Sequence, residues 1–89
     1  MKKEEQKIIK YHIEKDNEKY YIYQISNDDE DTNLTGFYIQ KKDYGLITYC
    51  IGIYISQLAF PVEDFIKDHI NDWILLANID LEKNENSEV

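Results

Sequence analysis

The chain contains no arginine, one cysteine, one proline and three glycines. It also has no apolar run approaching the ~18 residues that a membrane span requires, because Thr48, Gly52, Ser56 and Gln57 interrupt the longest one. Each shortage excludes something. A single thiol, Cys50, cannot form an internal disulfide, so a reducing cytoplasm is the expected compartment. The opening Met1-Lys2-Lys3-Glu4-Glu5-Gln6-Lys7 lacks the apolar core of a secretory signal, and in a cytoplasmic setting the Asn33-Leu34-Thr35 glycosylation match is incidental. Gly36, Gly45 and Gly52 form no phosphate-cradling loop. Cations are scarce as well: ten lysines face eighteen carboxylates, a net charge of −8. Phosphate neutralisation dominates nucleic-acid affinity, so direct nucleic-acid binding is not expected of such a chain.

What remains is a chain of 89 residues, 43% of them hydrophobic. That length makes one domain, and that apolar share can offset an ordering cost of roughly 1.5 kcal/mol per residue. Fourteen Ile, ten Lys, eight Tyr and seven Asn dominate, residues whose codons are rich in A and T. An AT-rich genome therefore accounts for much of the tyrosine content. Charge is uneven. Residues 1–19 carry six Lys and five acids, residues 20–60 two and five, and residues 61–89 two and eight. The last third is the acidic part.

Apolar residues first alternate and then recur at helical spacing. Ile9, Tyr11 and Ile13 alternate with Lys10, His12 and Glu14, which predicts a half-buried strand over 8–15. Asp16-Asn17-Glu18 reads as a turn and Lys19 to Ile25 as the second strand of a hairpin. Asn27 to Asn33, with four consecutive acids, is expected to be a solvated loop. A third strand over 36–41, a connection at Lys42-Asp43-Tyr44-Gly45 and a fourth strand over 46–55 follow. Strict alternation puts Ile47, Tyr49, Ile51, Ile53 and Ile55 on one face of that strand, with Thr48, Cys50, Gly52 and Tyr54 on the other. Both faces are uncharged, which predicts a central strand.

Pro61 is placed to open a helix, because its missing N–H costs nothing at the first position. Val62, Phe65, Ile66, His69, Ile70, Trp73, Ile74 and Ala77 recur at three- and four-residue spacing, with Asn78 as the expected stop. Their arc is about 180° wide, broader than the ~100° that one sheet contact needs. The expected fold is α+β: a four-stranded antiparallel meander and one long C-terminal amphipathic helix on one sheet face, in two layers. Residues 1–80 form the domain and 81–89 an acidic tail expected to be disordered. The core is expected at Ile51, Ile53, Phe65, Ile66, Ile70 and Trp73.

No catalytic, cofactor or metal constellation emerges. Asp31-Thr32-Asn33-Leu34-Thr35-Gly36 begins like a calcium loop, but its twelfth position is Lys42 where a bidentate Glu is needed. His12, His69 and Cys50 lack zinc spacing, Ser26 and Ser56 lack a nucleophile-elbow sequence, and Cys50 reads as an inert filler in an apolar strand. The Tyr-rich strands read as packing surfaces rather than base-stacking ones. The residual anomaly is an acidic ridge: Asp64, Asp68 and Asp72 stand at i, i+4 and i+8, with Leu75 on the same line. Like charges at that spacing weaken a helix by roughly 0.2–0.5 kcal/mol per pair. Asp64 is favoured by the helix dipole; Asp72 is not.

The expectation is a non-enzymatic, inhibitor or immunity-type module that blocks a basic protein, such as a nuclease or other nucleic-acid-binding partner. Asp64, Asp68, Asp72 and Leu75 would meet it, assisted by Asp28, Asp29, Glu30 and Asp31. The alternative is a structural or adaptor domain acting as a homo-oligomer through apolar helix and sheet surface. Neither reading involves a cofactor or a membrane.

Overall fold

The computed structural model describes residues 6–27, 34–54 and 61–86. The fold is α+β in two layers: four antiparallel strands, then one helix across one face of the sheet. The strands are β1 (Gln6–Lys15), β2 (Glu18–Asn27), β3 (Leu34–Lys41) and β4 (Ile47–Tyr54), and the helix is α1 (Val62–Asn86). Among the described residues no helix is long and apolar enough to cross a membrane.

The hairpin between β1 and β2 closes on two residues, Asp16 and Asn17, at φ 54° and 66°. Two successive positive φ values match the right-handed twist of the flanking strands, and Asp and Asn tolerate them. In the longer connection after β3 only Asp43 has a positive φ, 73°, at the third position of a turn in which Tyr44 N–H donates to the Lys41 carbonyl at 3.1 Å.

Alternation along each strand divides the sheet into two faces. Tyr20 and Ile22 of β2 and Phe37 and Ile39 of β3 are buried under the helix, joined by Phe65, Ile66, Ile70, Trp73 and Ala77. Phe37 lies at the centre, its ring centroid 5.3 Å from that of Phe65 and 5.5 Å from that of Trp73. Three polar side chains on this face are buried with their bonds made. Gln24 accepts from the Tyr11 hydroxyl at 3.0 Å, Thr35 donates to the Ile25 carbonyl at 3.4 Å, and Thr48 donates to Asp80 of α1 at 2.9 Å. Lys15 of β1 also bonds Asn71 of the helix.

The fourth strand departs from expectation twice. It is an edge, not a centre, because the strands pair in chain order and β3 occupies the interior place. Its alternation is also broken. Phe37 faces Ile51 while the next residue, Tyr38, faces Tyr49, so Cys50 is an extra residue in a β-bulge. The bulge shifts the phase by one. Thr48 before it and Ile51 and Ile53 after it face the helix, while Ile47 and Tyr49 are turned to the open side. Ile51 and Ile53 pack against the core but stay half-buried, because an edge strand has a neighbour on one side only. Ile55 lies outside the described residues.

The helix also outruns its expected stop. Its first bonds run from the N–H groups of Asp64 and Phe65 to the Pro61 carbonyl, at 3.0 and 3.2 Å. It then passes Asn78 and continues to Asn86, so residues 81–86, expected in a disordered tail, are helical. Asparagine is a stop signal because it tolerates the left-handed conformation that commonly ends a helix. Here Ile79 to Lys83 are ordinary helix residues, and Asp80 is anchored to β4 through Thr48.

Candidate functional site

The helix rises about 1.5 Å per residue, so a step of four advances about 6 Å and rotates only about 40°. Asp64, Asp68 and Asp72 therefore form one line, and all three are exposed. Steps of three and four carry the line on to Leu75, which is 59% exposed, and to Ile79, with Leu76 at its flank. Leu75, Leu76 and Ile79 are all exposed apolar residues directly beyond the carboxylates. Among the described residues the ion pair Lys41–Glu18, at 3.7 Å, is the only one, so none of the three ridge carboxylates is neutralised by a lysine there.

The ridge expected from sequence is thus present on the solvent side of the helix, with Leu75 in place. Asp28, Asp29, Glu30 and Asp31 lie outside the described residues, as do positions 31–33 of the calcium-like segment. Ile79 and Leu76 were not legible as part of this surface. A helix taken to stop at Asn78 leaves Ile79 off the wheel, and the surplus width of the apolar arc was the one signal that pointed to them.

The groups tested for chemistry are held quietly. Cys50 is half-buried, its Sγ 3.7 Å from the Thr48 carbonyl, and burial pushes its thiol up to about 12. At neutral pH it is a protonated thiol, not a nucleophile. His69 lies between the rings of Phe65 and Trp73, and its Nδ1 is 2.9 Å from the Phe65 carbonyl one turn back. His12 is exposed, edge-on to the Tyr21 ring. Burial, and secondarily the Glu63 carboxylate, raise the Tyr11 phenol above its usual value and keep it a hydrogen-bond donor to Gln24. Among the described residues no group of three or more His, Cys, Asp or Glu side chains is gathered to hold a metal ion.

Compared with protein-family models, curated proteins and solved structures, the chain matches none.

Proposed function

We propose that this chain is a non-enzymatic protein-binding module that lays the outer face of α1 on a basic partner. It would act as an inhibitor or immunity-type protein occupying a surface otherwise used for nucleic acid. The observation that carries this reading is the continuity of two features that both cost the free protein something. Asp64, Asp68 and Asp72 repel one another along the helix, and Leu75, Leu76 and Ile79 continue their line in solvent. A partner presenting lysines or arginines around an apolar slot relieves both at once.

Self-association of this ridge is the weaker reading. An antiparallel pairing of two helices about Leu75 and Ile79 brings Asp72 of one copy opposite Glu82 of the other, so like charges flank the apolar contact. A partner of opposite charge has no such penalty.

The test is Asp68→Asn/Asp72→Asn beside Leu75→Ser, compared by affinity capture at about 0.1 M and about 1 M salt, where the screening length falls from ~10 to ~3 Å. The double substitution removes two like-charge pairs and is expected to stabilise the protein by about 0.4–1 kcal/mol. A specific partner should be lost on either substitution and at high salt. Gained stability with unchanged capture of that partner would refute the proposal.

A further inference from the structure

The sheet face turned away from the helix has a composition that the net charge conceals. Reading across paired strands, Lys10 is followed by Tyr23, Tyr38 and Tyr49 in one row. His12, Tyr21, Gln40 and Ile47 form the next row, and Glu14 pairs with Lys19 in the one beyond. Lys42 extends that last row, its N–H donating to the Lys19 carbonyl at 2.9 Å. Five of the eight tyrosines (Tyr21, Tyr23, Tyr38, Tyr49 and Tyr54) stand on this face, which no other described element covers. So do Lys10, Lys19 and Lys42, against Glu14 as the one carboxylate on the same face of the described strands.

Two depressions mark the face. One, of about 330 Å³, is lined by His12, Glu14, Lys19, Tyr21 and Lys42. The other, of about 260 Å³, is lined by Ile25, Leu34, Gly36, Tyr38, Tyr49 and Gly52. The second exists because cross-strand partners Gly36 and Gly52 carry no side chains. A Cβ at position 52 would meet the Tyr49 hydroxyl at 2.8 Å, and one at 36 would meet the Tyr38 ring at 3.2 Å. The glycine pair thus makes room for two aromatic rings, whose centroids are 5.4 Å apart. Lys10 shares the row of Tyr38 and Tyr49, whereas Lys19 and Lys42 lie four residues away along β2, or about 13 Å.

We propose that this open face binds single-stranded nucleic acid, with phosphates on Lys10, Lys19 and Lys42 and bases against Tyr38 and Tyr49. Stacking on aromatic rings beside a basic track is the chemistry by which sheet surfaces hold unpaired nucleotides, roughly two or three at a time. Lys10 is positioned by Tyr21, whose ring centroid is 4.0 Å from its Nζ. Among the described residues none of the three lysines is spent in an ion pair. The charge of −8 does not forbid this. The helix carboxylates Asp64, Asp68 and Asp72 stand on the far side of the second layer, beyond a screening length of ~8 Å at physiological salt. On the open face Lys10, Lys19 and Lys42 outnumber the single carboxylate that the described strands place there, Glu14.

The probe is a fluorescein-labelled oligothymidine of about twelve nucleotides, titrated with the full chain and read by anisotropy. Three phosphate contacts predict a salt slope of about −2, so affinity should fall about 20-fold between about 50 and 200 mM salt. Lys10→Gln should make the slope shallower by about 0.7. Tyr49→Leu, at a side chain 57% exposed, should weaken binding roughly 5- to 150-fold while leaving the melting temperature unchanged. No binding at about 50 mM salt would overturn the proposal. So would a slope that Lys10→Gln leaves unaltered. Displacement of the oligonucleotide by an equal charge of polyglutamate would show that the face reads acidic chain rather than bases. A dimer in light scattering that Tyr49→Leu dissolves would make it a self-association surface instead.

Discussion

Phe37→Ala is the substitution that tests the fold most directly. Phe37 is fully buried at 0% exposure, at the centre of the contact between β3 and α1. Phe-to-Ala replacements in cores cost about 3–5 kcal/mol. Here the upper part of that range applies, because two ring contacts, with Phe65 at 5.3 Å and Trp73 at 5.5 Å, vanish with the side chain. Aromatic pairs contribute roughly 0.5–1.5 kcal/mol each beyond the area they bury. A domain of this length has a total stability of roughly 4–13 kcal/mol. A loss of about 4–5 kcal/mol therefore takes a third or more of it, and lowers the melting temperature by roughly 20–35 °C. Guanidinium unfolding followed by far-UV circular dichroism and by the fluorescence of Trp73, itself buried 5.5 Å away, measures the effect. Phe37→Leu keeps the comparison available if the alanine variant does not fold. Tyr49→Leu on the open face is the control, expected to change stability by less than ~0.5 kcal/mol. A Phe37→Ala loss below about 2 kcal/mol, or one equal to the control, would refute the packing described here.

Thr48→Val should cost about 1.5 kcal/mol by removing the 2.9 Å bond to Asp80, and less than about 0.5 kcal/mol when introduced into Asp80→Ala, which has no acceptor left to lose. Strict additivity of the two substitutions in urea unfolding would show that the bond does not couple helix to sheet. Cys50 should react with a thiol reagent two to three orders of magnitude more slowly in the native protein than in urea, its thiolate being scarce below about pH 12. Rapid native labelling would contradict its burial. The same shift links stability to pH. The folded thiol titrates near 12 and the unfolded one near 9, so its contribution is complete below pH 9 and lost as pH rises from 9 to about 12. Cys50→Ala should therefore lose stability less steeply than the parent across that window, and parallel curves would show that the thiol is not the source.

Local patterns carried most of the architecture. Ile9, Tyr11 and Ile13 against Lys10, His12 and Glu14, the Asp16-Asn17 turn, and the three- and four-residue spacing from Val62 to Ala77 specify two-layer α+β, because alternation and helical period are properties of neighbouring residues. The ridge of Asp64, Asp68 and Asp72 was legible for the same reason, since a step of four on a helix is arithmetic. Other features depend on residues distant in sequence. Cys50 is a bulge because Phe37 and Tyr38 on β3 leave it no partner, and that one extra residue turns Ile47 and Tyr49 away from the face occupied by Ile51 and Ile53. The helix passes Asn78 to a point where Asp80 meets Thr48, thirty-two residues earlier in the chain, and so brings Ile79 onto the ridge. Charge shows the same division: −8 is a sum over the sequence, but a partner meets one face at a time. Only the layering of helix over sheet, with a short screening length in salt solution, separates Asp64, Asp68 and Asp72 from Lys10, Lys19 and Lys42.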